Sequence, residues 1–134
     1  MSRNITAWLG FLADRSATPF AWGRDGHDCV SFALGSVKAL TGGDLAGRLP
    51  RWSSEATAKR ALARLGGLEA ATNGVLRPIA PVALAQRGDI AGVIQPSGDL
   101  ALMVVEGHAL VGPHPVAGLR RLPRTAMSLA WSAE

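Results

Sequence analysis

The sequence predicts an α+β fold, with N-terminal helices packed on a C-terminal antiparallel β-sheet. Two observations carry this. Up to about residue 65, apolar residues recur at helical spacing between recognisable caps; from Gly88 onward the texture changes to short β-prone runs separated by turn signals. Helices first and strands second is the order of an α+β domain, not of alternating βαβ units. At 134 residues the chain is expected to be one domain, 1–134, large enough to bury a core without disulfide or metal staples.

Taken in order, residues 4–14 read as a helix. Ile5, Trp8, Leu9 and Leu12 fall on one face, and Asn4 is a good N-cap. Pro19 disfavours helix in the residue before it and closes that segment. A second helix is expected over 28–40, with Asp28 as N-cap and Cys29 as the first helical residue. Val30, Ala33, Leu34 and Val37 form its apolar stripe, and Gly42-Gly43 stops it. Residues 44–52 are polar and irregular. A third helix is expected over 54–65, capped by Ser53 or Ser54, with Ala58, Ala61, Leu62 and Leu65 facing inward and Gly66-Gly67 ending it. Thr72-Asn73-Gly74 marks a turn, and Pro78 and Pro81 prevent a long helix.

Gly88-Asp89 then opens the sheet. Strands are expected at 90–94, 100–105, 109–111, 119–122 and 127–131, with Gly112-Pro113-His114-Pro115 as a loop. The unbroken apolar run 100–105 implies a strand buried on both faces.

Composition excludes several function classes. The net charge is +4, and 12 of the 14 basic residues are arginine, but they are scattered, with no basic run and no interleaved aromatics. That is a solvated surface rather than a nucleic-acid interface. No apolar run approaches the roughly 20 residues of a membrane span. No signal-peptide layout is present, and one cysteine excludes an internal disulfide, which together predict synthesis and folding in a cytoplasm. Nothing calls for a cofactor. His27, Asp28 and Cys29 are metal-ligand types, but their spacing matches no four-ligand zinc pattern.

The richest stretch chemically is Pro19 to Phe32, where a loop rich in Gly and Asp runs into a helix that starts at the only cysteine. Unpaired N–H groups and the positive end of the macrodipole stabilise an anion there, so a thiol at that position can fall well below its free pKa of about 8.5. The competing reading is a small buried hydrophobe, the usual state of a lone cysteine.

The chain carries, in order, Pro19-Phe20-Ala21-Trp22-Gly23, Asp28-Cys29, Thr41-Gly42 followed by Asp44, Ser54 with Ala56 and Arg60-Ala61-Leu62, Gly66-Gly67, Gly88-Asp89-Ile90, and Gly118-Leu119 with Trp131. In that order and spacing it resembles the NlpC-type branch of the papain-like cysteine peptidases, and more narrowly a set of small phage and prophage tail proteins related to that branch. The resemblance implies an NlpC-type papain-like domain with Cys29 as nucleophile on a helix packed against the sheet. It implies a place in the virion tail, or in a gene-transfer particle, after synthesis in a bacterial host. The partners would be other phage tail proteins and, for active relatives, peptidoglycan peptides.

The same resemblance exposes a departure. Active NlpC-type enzymes open the second strand with a histidine, and here the matching run is Asp99-Leu100-Ala101-Leu102, so the histidine position holds Asp99 or, with a one-residue shift, Leu100. The third polar position falls near Val111 and Gly112 and is unfilled. A Cys-His dyad needs an imidazole to make the thiolate and to protonate the leaving amine; aspartate opposes the thiolate and cannot act as an imidazolium-like acid. Of the three histidines, His27 is expected in solvent and His108 at the turn after the second strand. His114, between two prolines, is the best placed substitute base. Trp8 and Trp131 read as core, Trp22 as a groove wall, and Trp52 as an exposed partner contact. Two functions follow from the resemblance: a catalytically degenerate structural component of a tail tip or hub, or an active cysteine endopeptidase acting on peptidoglycan during phage entry.

Overall fold

The computed structural model describes residues 3–23 and 26–134. It is an α+β arrangement of four helices and a six-stranded antiparallel sheet. Helix α1 (Ile5–Arg15) begins at Asn4, whose side chain accepts the Ala7 N–H. Helix α2 (Cys29–Thr41) starts at the Asp28 cap and ends at Gly42 in the left-handed conformation. Helix α3 (Glu55–Arg64) is closed at its start by a reciprocal Ser54–Thr57 capping box. Helix α4 (Leu68–Asn73) lies where the sequence reads as a turn; it is short, and Gly67 starts it without a side-chain cap. Leu9 and Leu65, expected to face inward, are exposed.

The strands are β1 (Arg77–Pro78), β2 (Ile90–Ile94), β3 (Leu100–Val105), β4 (Ala109–Pro113), β5 (Leu119–Pro123) and β6 (Leu129–Ser132), in the spatial order β1-β6-β2-β3-β4-β5. Strands β2 and β3 match the expected spans, whereas β4 runs on through Gly112 and Pro113, expected as loop, because they pair with Arg120 and Leu119. β1 was not foreseeable from local pattern: its two residues are a strand only because they pair with Trp131 and Ser132.

Alternation splits the sheet into two faces. Ile90, Leu102, Val104, Val111 and Trp131 meet the helices, where Trp8, Phe32, Val37 and Leu40 complete the main core. Each fully buried large side chain there contributes about 1.5–3 kcal/mol. Two buried indoles bring polar partners with them: Trp8 Nε1 donates to Ser36 Oγ at 2.8 Å and Trp131 Nε1 to Asn73 Oδ1 at 2.8 Å. On the other face Ala91, Val93, Met103, Val105, Leu110 and Ala130 pack under a second apolar layer that includes Ala85 and Met127. Strand β3 is thus covered on both sides, as its unbroken apolar run requires.

The Gly-Asp pair ahead of β2 acts through both residues. Gly88 adopts φ +94, and a Cβ there would collide with Leu40. Asp89 is buried and accepts from the Gln86 and Ala133 N–H groups at 2.7 and 3.0 Å and from Arg3 Nη2 at 2.8 Å. One carboxylate therefore ties residues near both ends of the chain to the start of the central strands. Among the described residues, no helix is long and apolar enough to cross a membrane.

Candidate functional site

Cys29 is the first residue of α2, and the geometry in front of it is built by Asp28. One Asp28 oxygen caps the helix by accepting the Ser31 N–H at 2.8 Å. The other accepts the Gly23 N–H at 2.9 Å and the Trp52 indole N–H at 3.1 Å. The Ser31 hydroxyl closes the loop onto the Gly23 carbonyl. Arg24 and Asp25, inside this loop, lie outside the described residues.

A cleft of about 530 Å³ opens beside the thiol. The start of α2 supplies Cys29 and Val30, α3 and α4 supply Leu62 and Leu68 among others, and the β2–β3 turn supplies Gln95, Gly98, Asp99 and Leu100. Trp22 and Trp52 both line it. The structure therefore brings together Cys29 and both sequence positions considered for the base, Asp99 and Leu100. It does not bring a histidine there: none lines the cleft.

Each histidine lies elsewhere. His27, expected in solvent, is instead fully buried. Its Nε2 donates to the Gly118 carbonyl at 2.8 Å, its ring packs edge-on against Phe32, and Nδ1 has no partner. The cause is tertiary. Gly118 N donates to Thr18 O, and Pro19 bridges Ala117, so the β4–β5 connection folds over the loop ahead of α2. Gly118 makes this possible with φ +74, in a position where a Cβ would press on the Ser16 carbonyl. His114 is exposed on that connection, and its Nδ1 accepts the Val116 N–H at 3.1 Å. His108 is exposed beyond the end of β3.

The thiol is also not what its helix position alone predicts. Burial pushes Cys29 up to about 11, and the adjacent Asp28 charge pushes the same way. The Leu102 N–H, the Arg120 charge and the cysteine's own N–H pull it down, but together they do not offset the loss of hydration. The residue is half-buried at the cleft wall, yet its sulfur sits in dry surroundings between α2 and β3. It is a neutral thiol at physiological pH.

Trp52 corrects a further expectation. It is not a free surface contact but a partly buried cleft wall held by Asp28. Trp22 is 37% exposed and does line the groove, while Trp8 and Trp131 are core. Asp28 spends both its oxygens on N–H donors and His27 its Nε2 on a carbonyl, and among the described residues no group of three or more His, Cys, Asp or Glu is placed to hold a metal ion.

A larger groove of about 860 Å³ runs between α1 and α2 past Phe11, Arg15, Leu34 and Lys38. It holds neither the cysteine nor a histidine.

Comparison with family models matches residues 4–133 to a domain of unknown function, DUF6950. The chain belongs to the DUF6950 family. The match takes in every helix and strand described above and all residues of the Cys29 cleft. A comparison with the curated proteins finds no match.

Proposed function

We propose that this DUF6950 chain is a structural component of a phage or gene-transfer-particle tail, built on an NlpC-type papain-like fold that has lost catalysis. The observation that carries the reading is the make-up of the cleft. A cysteine at a helix start stands against the opening of β3, the arrangement expected of a papain-like nucleophile, but that opening carries Asp99 and Leu100 and no histidine lines the space. Thiol attack on an amide needs a thiolate and then a proton donor for the departing amine. Here the thiol is held neutral by burial, and no imidazole lines the cleft to supply that donor. General acid–base help of that kind is typically worth about 10² to 10⁴ in rate.

The tail assignment is tested in a phage or prophage that encodes the chain. Removing it is expected to leave particles with defective tails. Supplying wild type or Cys29→Ala is expected to restore them equally, with the protein present in purified particles. Normal particles without the protein would overturn the structural role. Failure of a folded Cys29→Ala protein to restore them would favour the peptidoglycan endopeptidase reading.

A further inference from the structure

We propose that the Cys29 cleft is a docking groove for an extended segment of a partner protein that inserts one basic side chain, lysine or arginine, between Trp22 and Trp52 toward Asp99. This rests on the reading of the cleft as catalytically silent and names what occupies it.

Shape and charge both favour such an occupant. The floor is aliphatic, formed by Val30, Leu62, Leu68 and Leu100. Two indoles stand in the walls. Trp52 is fixed by its hydrogen bond to Asp28, and Trp22 is braced edge-on against Phe20 at 5.1 Å while still 37% exposed. At the mouth, the β2–β3 turn is held by Gln95 N–H to Asp99 O at 2.9 Å and Gly98 N–H to Gln95 O at 2.8 Å. That turn presents Asp99, whose side chain, among the described residues, accepts from the Ser97 hydroxyl alone, at 3.3 Å.

The described charged side chains lining the groove are Asp28, Glu55 and Asp99 against Lys59, with Arg120 near enough to act on the Cys29 thiol. Lys59 is already paired with Glu55 at 3.2 Å, and Asp28 is consumed by three N–H donors. Among the described residues Asp99 is left as a carboxylate with no ion-pair partner, in a chain whose net charge is +4. The groove therefore runs against the sign of the whole molecule. A long basic side chain matches it part by part: an apolar stem on the aliphatic floor, a cationic head over indole faces and near a carboxylate.

The test follows the indole N–H resonances of the full chain during titration with acetyl-Gly-Lys-Gly-amide, up to about 10 mM, since a single side chain is expected to bind in the millimolar range. Trp22 and Trp52 should shift, with Trp8 and Trp131 unchanged as internal controls. Replacing lysine by norleucine should weaken the effect about 5- to 20-fold, because cation–π and charge contacts are both lost. Asp99→Asn, an exposed change that leaves the fold intact, should weaken the lysine peptide about two- to fivefold. Absence of shifts, equal shifts from the norleucine peptide, or an unchanged affinity in Asp99→Asn would overturn the proposal. So would sedimentation showing the groove already closed by a second copy of the chain. Wall-cleavage assays judge the silence of the site separately, so the two can fail independently.

Discussion

The Asp28 carboxylate holds the Trp52 indole at 3.1 Å across 24 residues of sequence. With the same carboxylate capping α2 and receiving the Gly23 N–H, one side chain joins the cysteine loop, the cysteine helix and the chain ahead of α3. Asp28→Ala removes the cap and leaves two further N–H donors unpaired, so it is expected to cost about 2–4 kcal/mol. Trp52→Phe, which removes a single donor, is expected to cost less. Urea denaturation of both variants checks the order, and a loss below about 0.5 kcal/mol in Asp28→Ala would contradict the assignment.

Asp89 is the second such junction. Its contacts to Arg3, Gln86 and Ala133 are satisfied in a nearly dry site. Asp89→Ala leaves two buried backbone donors unpaired and takes one of three contacts from Arg3, whose guanidinium keeps Glu134 and the Arg87 carbonyl, and a loss of about 2–4 kcal/mol is expected. Denaturation should show it as a lower midpoint with an unchanged slope.

His27 positions the loop rather than activating the thiol. His27→Gln, whose amide can still donate to Gly118 O, should keep the fold and leave the pH profile of Cys29 alkylation unchanged. A profile displaced in this variant would mean that the imidazole reaches the sulfur.

The thiol itself gives a pH prediction. Its alkylation rate should rise only toward a midpoint near 11. The unfolded cysteine titrates near about 8.5. Because the folded value is the higher one, the unfolded chain gives up its proton first. The stability contributed by the dry thiol is therefore fully present below about pH 8.5 and lost as pH rises toward 11. Chemical denaturation of wild type against Cys29→Ser across that window checks the sign.

These predictions divide between what local sequence announces and what it does not. Asn4, Asp28 and Ser54 announce α1, α2 and α3 because a cap is a local device, and β2 and β3 follow from apolar runs between turn residues. Trp22 is legible beside Cys29 from the stretch they share, whereas Asp99 joins that neighbourhood only through the family resemblance. Three features are not legible: α4, which lacks a side-chain cap; β1, defined by its pairing with β6; and the burial of His27, set by Gly118, 91 residues further on. The elevated thiol was hidden for the same reason. Helix position is a local signal and lowers the pKa, whereas packing against β3 is tertiary and raises it.

The central claim is catalytic silence at Cys29, and release of new peptide amines from purified peptidoglycan tests it most directly. Wild type and Cys29→Ala are expected to release the same background amount as buffer. Sustained release by wild type that disappears in Cys29→Ala would contradict the account, and would show that a base reaches the cleft in the working protein.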